Sequence, residues 1–338
     1  MIAWTILGAM TAIGLAAGAA SADVLADVKA RDELLCGVNP GLAGFAAPDA
    51  NGNWSGFDVA FCKAVAAAVL SDPSKVRFVP TDLESRFQIL NEGQVDLLVR
   101  NSTWTFSRDT ALKLEFTGLN YYDGQGFMVR KELGLTSVKE LENVSICVQR
   151  GSTSAQNLAD YFRTHGMTLA QVDVESDAEG ERRYSAGDCQ AYTTDASALA
   201  ATRAAFADPQ NHIVLPEIIS KEPLGPVVRQ DEGEWADVVR WVLFALIAAE
   251  EYGVTSKNIE ELVKSSGNPE VQRLLGVSDN LGAMIGLDAA WARRAIQAGG
   301  NYGEIFAANI GEQTPIGLAR GLNAQWTQGG LLYAPPFR

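Results

Sequence analysis

Short apolar segments that predict strands alternate with segments that predict helices, and this alternation occurs twice along the chain. In the first half, we expect strands over residues 34–38, 76–79 and 95–99 and helices over residues 57–70 and 83–92. In the second half, we expect strands over residues 144–149, 170–174 and 189–193 and helices over residues 154–165, 177–186 and 196–207. Such alternation favours parallel sheets that are covered by helices. The sequence therefore predicts an α/β fold with two lobes.

Two glycine-containing segments, residues 121–126 and 222–226, separate the patterned regions and are expected to cross between the lobes. The predicted first lobe comprises residues 23–122 and 230–338, and its second part includes a C-terminal helical extension. Residues 123–229 form the predicted second lobe together with the crossovers. Sheets of this kind bind ligands at the carboxyl ends of their strands, so we expect a site between the lobes.

The composition is that of a folded, acidic protein. The 338 residues include 27 Lys and Arg against 41 Asp and Glu, which gives a formal net charge of −14, and 47% of the residues are hydrophobic. This proportion supplies a core and argues against a disordered or fibrous chain. So few cations cannot form the basic face that nucleic acid requires, nor an electrostatic contact with anionic lipid. A nucleic-acid partner is therefore not expected.

The N-terminal segment is expected to direct export. Residues 1–22 contain no charged side chain and end in Ala-Ser-Ala, the pattern of a peptidase cleavage site. They predict a secretory signal peptide that is removed after Ala22, which places the mature chain in the periplasm. An uncleaved membrane anchor is the alternative. The long helix expected over residues 232–252 is the next most apolar segment, but charged residues such as Arg240 indicate a buried helix of a soluble lobe.

The chain has four cysteines, and none of them is in a C-x-x-C pair. The two histidines are not spaced as ligands of a shared metal ion, so no zinc site is expected. Cys36 and Cys62 fall in the first half, and Cys147 and Cys189 fall in the second. We therefore expect the disulfides Cys36–Cys62 and Cys147–Cys189 in an exported protein. Four buried free thiols are the alternative.

Polar side chains cluster directly after the expected strands. The segments concerned are residues 84–87, 101–108, 150–154 and 192–195. Arg108 supplies a guanidinium and Asp195 a carboxylate, and Ser152 and Thr153 open a helix whose free N–H groups can hold an anion. Helix capping explains Ser152 or Thr153 equally well, and a single Arg is commonly a surface residue. Taken together, these groups suit a zwitterion that carries a carboxylate and an ammonium.

Several short motifs occur in a distinctive order. They are GFDVA at residues 56–60, the Arg108 motif NSTWTFSR at 101–108, EFTG at 115–118, YDGQGFMVRK at 122–131, GST at 151–153, TD at 194–195, LGP at 224–226 and GGNYGEIF at 299–306. With these motifs, residues 23–338 resemble the periplasmic substrate-binding proteins of polar amino-acid ABC importers, and more narrowly the general L-amino-acid-binding subfamily. The resemblance implies a two-lobed type II fold. Each lobe is then a sheet flanked by helices, and two crossover strands join the lobes.

The resemblance also implies roles for residues that would hold the main-chain part of an amino acid. Arg108 is expected to clamp the α-carboxylate, since a planar guanidinium offers two parallel charge-assisted hydrogen bonds. Ser152 and Thr153 are expected to donate hydroxyl and amide hydrogens to the same carboxylate. Asp195 is expected to accept from the α-ammonium.

Further residues are implied near the ligand. Thr103 is expected to contribute a hydroxyl and Asn101 a main-chain group. Arg86 lies where binders of acidic amino acids carry an arginine for the ligand side chain, and an exposed position on its helix is the alternative. Arg100 is a second candidate for the side-chain pocket, and a surface position or a structural ion pair is equally compatible with the sequence.

Two positions depart from the binders of basic amino acids. Leu42 stands where those proteins often stack an aromatic ring, and Asn39 replaces an acidic residue. We therefore expect broad binding of L-amino acids that favours Glu, Gln, Asp and Asn. Delivery to the permease subunits of an ABC importer, with their ATPase, follows from the resemblance. The protein is expected to be a monomer, with no cofactor and no catalytic residue.

An enzyme on the same fold, such as a secreted dehydratase or a lytic glycosidase, is the alternative function. Such an enzyme needs a general acid in the cleft, and the candidates are Glu84, Asp123 and Asp195. Asp195 is better explained as an ammonium partner, and the sequence has no Ser-His-Asp, Cys-His or metal-binding set. A sensor domain is a third alternative, against which the cleavable signal and the lack of a second membrane segment argue.

Overall fold

Residues 23–338 are described in a computed structural model, and they form the two lobes that the sequence predicts. Each lobe contains one five-stranded sheet, and a two-stranded antiparallel ribbon connects the sheets. The predicted signal peptide, residues 1–22, lies outside the described residues.

Strands and helices are numbered in chain order. The strands are β1 (Leu34–Val38), β2 (Ala47–Pro48), β3 (Trp54–Ser55), β4 (Val76–Pro80), β5 (Leu97–Val99), β6 (Leu114–Phe116), β7 (Tyr121–Asp123), β8 (Gln125–Arg130), β9 (Ser145–Gln149), β10 (Ala170–Val174), β11 (Ala191–Asp195), β12 (His212–Val214), β13 (Glu222–Leu224) and β14 (Val227–Arg229). The α-helices are α1 (Val24–Arg31), α2 (Phe57–Leu70), α3 (Arg86–Asn91), α4 (Phe106–Ala111), α5 (Thr153–Thr164), α6 (Asp177–Ala186), α7 (Ala196–Ala205), α8 (Gly233–Glu251), α9 (Ile259–Ser265), α10 (Pro269–Leu274), α11 (Trp291–Gly299) and α12 (Tyr302–Asn309).

The two sheets share one plan. The strand order is β4-β1-β5-β14-β6 in the first sheet and β10-β9-β11-β8-β12 in the second. The first three strands of each order run parallel, as predicted, and the last two pair antiparallel with their neighbours. The parallel arrangement expected for the predicted strands is therefore confirmed, and the antiparallel strands are additions that the alternation did not predict. They arise because β8 and β14 enter their sheets directly from a crossover, with no helix that would return the chain to the starting edge.

The crossover ribbon consists of β7 and β13, in which Asp123 lies opposite Glu222. Both strands lie within the segments expected to cross between the lobes. A Cβ on Gly225 would lie 2.1 Å from the carbonyl oxygen of Gly118, so the second crossing requires a glycine at that position. The predicted return to the first lobe at residue 230 is too late, because β14 already pairs with β5 and β6 in the first sheet.

The core of the first lobe surrounds β1, which is buried along its whole length. Such burial is typical of a strand covered by helices on both faces. Helices α2, α8 and α11 pack together beside it, and the fully buried Trp235 of α8 donates from Nε1 to the carbonyl oxygen of Asp96 at 2.8 Å. None of the helices within residues 23–338 combines the length and the apolar character needed to cross a bilayer.

Helix α3 differs most from its predicted bounds, since it begins at Arg86 and not at residue 83. Residues 83–85 form a turn, and the guanidinium of Arg86 donates back to the carbonyl oxygen of Leu83. The C-terminal extension also differs, because apart from short 3-10 turns it is helical only as far as Asn309. Arg320 of the irregular tail that follows donates to both carboxylate oxygens of Glu250, at 2.8 and 3.0 Å.

The two expected disulfides are present. Cys36 of β1 is bonded to Cys62 of α2, and Cys147 of β9 is bonded to Cys189, which precedes β11. The pairing within each half of the chain is therefore confirmed, and the alternative of four free thiols is wrong. Each bond fastens a central strand to another element of the same lobe.

We expect each disulfide to stabilise the lobe that contains it. The bonded cysteines are separated by 26 and 42 residues, and chain entropy predicts about 3–4 kcal/mol for closing such loops. Replacing Cys147 and Cys189 together by Ala should lower the free energy of unfolding in guanidinium chloride by about that amount. Peptide mapping without reduction checks the pairing, and a Cys36–Cys147 or Cys62–Cys189 peptide would contradict it.

Candidate functional site

A cavity lies between the two lobes at the carboxyl ends of β5, β9 and β11. Its volume is about 50 Å³, which is room for a few water molecules, and it adjoins a wider mouth of about 400 Å³. All the residues that the sequence predicts to bind a ligand line this cavity. They are Arg86, Arg100, Asn101, Thr103, Arg108, Ser152, Thr153 and Asp195.

Arg108 lies in α4, whose first turn is capped by the hydroxyl of Thr105. Its Nη1 donates to the carbonyl oxygen of Thr103 at 2.9 Å, which orients the guanidinium at the cavity. A guanidinium has five N–H donors, so this contact leaves donors for a ligand. Burial lowers the pKa of Arg108, and the negative charges of Glu222 and Asp195 oppose that effect.

Two further arginines are almost fully buried beside the cavity, since Arg86 is 2% and Arg100 is 5% exposed. Nε of Arg100 donates to the carbonyl oxygen of Thr81 at 2.8 Å. Within residues 23–338, the arginines that form ion pairs include neither Arg86 nor Arg100. Burial lowers the pKa of both, and the charges of Arg100 and Arg108 lower that of Arg86 further. An exposed Arg86 and a surface Arg100, the sequence alternatives, are therefore wrong.

Asp195 ends β11 and is 9% exposed. Burial raises the pKa of Asp195, and so do the negative charges of Asp123, Glu222 and Asp177, whereas Arg108 lowers it. Since an adjacent cation favours the ionised form of a carboxyl group, a positively charged group of a ligand would be stabilised here. The position therefore suits the predicted ammonium contact.

Ser152 and Thr153 open α5, but their hydroxyls are engaged within the protein. The Ser152 hydroxyl donates to the carbonyl oxygen of Gln149 at 2.6 Å and accepts from the N–H of Ala155 at 3.0 Å. Ser152 therefore caps the helix and has no hydroxyl hydrogen left for a ligand, which corrects its expected role. The Thr153 hydroxyl donates to Glu222 at 3.0 Å. The first N–H groups of the helix have no partner within it and remain suited to an anion.

Thr103 and Asn101 follow β5. The Thr103 hydroxyl donates to Oε2 of Glu222 at 2.6 Å, so it is also engaged within the protein. Asn101 has a φ of 45°, in the left-handed region that Asn occupies more readily than most residues. Its buried Oδ1 has no hydrogen-bond partner among the described residues.

Sequence reasoning missed three polar residues of this region. Asp177 begins α6 directly after β10 and lines the cavity, and Gln149 ends β9 and lines it too. The rule that polar residues after strands meet at one edge could have found both. Glu222 is different, because it lies in a crossover strand and no sequence pattern marks its contacts with Thr103 and Thr153.

The sequence matches the bacterial extracellular solute-binding proteins, family 3, over residues 34–258. The chain belongs to this family. This family-3 protein is 62% identical over 331 residues to the glutamate/glutamine/aspartate/asparagine-binding protein BztA of Rhodobacter capsulatus, and the match covers 98% of both chains. It is 53% identical to the general L-amino acid-binding periplasmic protein AapJ of Rhizobium johnstonii, over 98% of this chain and 96% of the relative.

Solved structures show the same fold. The family-3 protein has a TM-score of 0.92 and 53% identity to an ABC transporter periplasmic binding protein from Brucella ovis with glutathione bound, covering 94% of this chain and 100% of that one. An ancestral arginine-binding protein bound to glutamine matches at a TM-score of 0.56 and 26% identity, over 66% of this chain and 94% of that one. These matches confirm the predicted family and its two-lobed fold.

The raised pKa of Asp195 should be visible in the pH dependence of stability. An acid whose pKa is higher in the folded chain than in the unfolded chain contributes less stability as the pH rises from about 3.9 through the folded pKa. The asparagine side chain of the Asp195→Asn variant cannot ionise. The substitution should therefore raise the melting temperature of the ligand-free protein more at about pH 8 than at about pH 4. Differential scanning calorimetry at both pH values measures this difference.

Asp72 supplies the matched control. It is half-buried and lies away from the cavity, and hydrogen bonds from Ser74 lower the pKa of its carboxyl group, so the expected pH dependence has the opposite sign. Asp72→Asn should lower the melting temperature more at the higher pH. An Asp195→Asn variant with the same shift at both pH values would contradict the assignment of a raised pKa.

Proposed function

We propose that this protein binds L-amino acids in the periplasm, favours Glu, Gln, Asp and Asn, and delivers them to an ABC importer. The charge of the cavity carries the proposal. Three arginines and two aspartates, Asp177 and Asp195, line it, so its formal charge is +1 when all of them are ionised. Glutamate and aspartate carry two carboxylates and one ammonium near neutral pH, and thus a net charge of −1. A ligand of that kind would balance the formal charge of these five lining side chains.

The main-chain part of an amino acid finds complementary groups in both lobes. Arg108 of the first lobe would bind the α-carboxylate in a bidentate manner, and the first N–H groups of α5 in the second lobe would donate to the same group. Asp195 of the second lobe would accept from the α-ammonium. Thr103 supplies a hydroxyl oxygen beside them. A ligand held in this way would touch both lobes at once.

The side chain of the ligand would extend toward Arg86 and Arg100. Their buried guanidinium groups suit a carboxylate or the oxygen of a carboxamide. Leu42 and Asn39 line the same cavity, and Oδ1 of Asn39 is occupied by the N–H groups of Gly41 and Leu42 at 3.0 and 3.2 Å. This wall offers a basic ligand neither an aromatic ring nor a carboxylate, so lysine and arginine are disfavoured.

The relatives support this ligand class. BztA is named for glutamate, glutamine, aspartate and asparagine, and AapJ is named for L-amino acids in general. The Brucella ovis protein holds glutathione, which contains a glutamyl group. The mouth of about 400 Å³ that adjoins the cavity would give room for a larger group attached to such a glutamyl end. Glutathione therefore belongs in a binding test of this protein.

The same relatives support the proposed partners and location. We infer export through a signal peptide cleaved after Ala22, action as a monomer, and docking on permease subunits that work with an ATPase. We also infer that binding occurs without catalysis. Of the acids considered for an enzyme, Asp123 accepts hydrogen bonds from the hydroxyl of Ser197 and from the N–H of Gly124, and Glu84 lies at the mouth. The remaining acid, Asp195, lines the cavity and would accept hydrogen bonds from the α-ammonium of the ligand.

Ligand binding should close the cleft. A ligand that touches Arg108 and Asp195 binds the closed arrangement more tightly than any open one, so it shifts the population toward closure. Small-angle X-ray scattering should show a smaller radius of gyration at saturating L-glutamate than without ligand. Arg108→Ala at the same ligand concentration is the control and should close less. An unchanged scattering curve for the unaltered protein at saturation would count against a site shared by the lobes.

Calorimetric titration with the twenty L-amino acids and glutathione tests the function directly. Arginine variants then test which arginine binds the α-carboxylate of the ligand and which binds its side chain. Arg108→Ala should weaken the binding of every amino acid by about 2–5 kcal/mol, since all of them share the α-carboxylate. Arg86→Ala should weaken the binding of free glutamate and aspartate by about 1–3 kcal/mol, the range for a hydrogen bond to a charged group. The binding of free alanine or serine should weaken much less.

Arg77→Ala is the matched control for these variants, because Arg77 is an exposed arginine of β4 that pairs with Glu33. It should leave all affinities unchanged. Equal losses for Glu, Gln and Ala in the Arg86→Ala variant, or no loss for any of them, would remove Arg86 from the side-chain pocket. Failure of the unaltered protein to bind any amino acid would refute the proposed function.

A further inference from the structure

Glu222 of the crossover strand β13 is a buried carboxylate, 1% exposed, that accepts hydrogen bonds from four side chains. Its Oε2 accepts from the hydroxyls of Thr103 at 2.6 Å and Thr153 at 3.0 Å. Its Oε1 accepts from Nδ2 of Asn157 at 2.6 Å and from the hydroxyl of Ser220 at 2.9 Å. The donors come from the first lobe, the second lobe and the crossover, so one carboxylate organises groups from all three.

These contacts determine which way the two threonine hydroxyls can act toward the cavity. A carboxylate only accepts hydrogen bonds, and a hydroxyl has one hydrogen and two lone pairs. Thr103 and Thr153 therefore donate their hydroxyl hydrogens to Glu222. Their oxygens, 3.5 Å apart, line the cavity and can offer it only lone pairs. At this place the cavity presents acceptors and no hydroxyl donors.

A ligand would not easily reverse this polarity. If the hydroxyls turned toward a ligand carboxylate, Oε2 of Glu222 would lose both of its donors in a place that water does not reach. Leaving a buried charged group without its hydrogen bonds costs more than an ordinary hydrogen bond supplies. A ligand ammonium, in contrast, brings its own hydrogens and needs only the lone pairs that are already exposed.

We propose that Glu222 is a positioning residue that makes Thr103 and Thr153 acceptors for the α-ammonium of the ligand, beside Asp195. The α-carboxylate is then left to Arg108 and to the first N–H groups of α5. This inference rests on the proposed function and reassigns the hydroxyl of Thr153, which the resemblance places on the ligand carboxylate. Glu222 thereby acts on specificity without touching the ligand, by selecting compounds that carry a cationic nitrogen next to the carboxylate.

The test compares L-glutamate with glutarate, which has the same two carboxylates and lacks the α-ammonium. The deciding variant is Thr103→Val, which keeps the shape of the side chain and the charge of Glu222 but removes one acceptor oxygen. The dissociation constant of L-glutamate should rise about tenfold or more. That of glutarate, measured by displacement so that weak binding is included, should change by less than about threefold.

Asn157→Ala is the matched control, because it removes a donor from Oε1 of Glu222 and leaves both threonine hydroxyls on Oε2. The affinities for L-glutamate and glutarate should both stay within about threefold of the unaltered protein. Glu222→Ala frees the hydroxyl hydrogens of Thr103 and Thr153, so it should reduce the preference for L-glutamate over glutarate. Since that variant also removes a charge, and its folding could suffer, Thr103→Val carries the decision.

Two outcomes overturn the inference. Equal losses for L-glutamate and glutarate in Thr103→Val would show that the hydroxyl donates to a carboxylate, and no loss for either would show that it takes no part. Both results leave the proposed function standing, because the unaltered protein still binds L-glutamate. If the unaltered protein binds no L-amino acid, the proposed function fails and this inference fails with it.

Discussion

Three guanidinium groups share one small cavity between the lobes, and the carboxylates that line it balance only part of their charge. Burial disfavours each of these cations, and the mutual repulsion between them adds to the cost for Arg86. The free energy that an anion gains there is therefore larger than on an open surface. The proposed anionic ligand would complete the charge of the cavity, and its binding would then depend on how the lobes are arranged around it.

The fold brings these groups together through its two similar sheets. In each lobe, parallel strands end at the same edge, so residues that follow β5 in the first lobe meet residues that follow β9 and end β11 in the second. Helix α5 begins at this edge, and its first residues, Thr153 and Ser154, line the cavity. The arginines come from the first lobe, whereas Asp177 and Asp195 come from the second. Cation and anion contacts to one ligand thus require both lobes.

The sequence predicts what local periodicity can encode. Strand ends follow from the alternation of strands and helices, and that is why Arg108, Asp195 and their neighbours were correctly expected to lie together. Strands β6, β12 and β14 have only three residues each and show no clear pattern, and the six-residue β8 was missed because its first residues fall in the glycine-containing segment expected to cross between the lobes. The direction of a hydroxyl is not local either. Thr153 points to Glu222 because a crossover strand 69 residues away in the chain packs beside it.

The C-terminal tail restricts where the first crossover can bend. Asn323 accepts from the N–H of Tyr122 at 2.7 Å and donates to its carbonyl oxygen at 3.1 Å. The hydroxyl of Tyr302 donates to the carbonyl oxygen of Asn120 at 2.8 Å. Both contacts tie β7 to the first lobe as far as Tyr122. Relative movement of the lobes would therefore bend the first crossover beyond Tyr122, where the next residue, Asp123, lies opposite Glu222. The carboxylate that orients Thr103 and Thr153 thus lies next to the part of the crossover that the first lobe does not hold, so a change in the arrangement of the lobes would also change the groups that face the cavity.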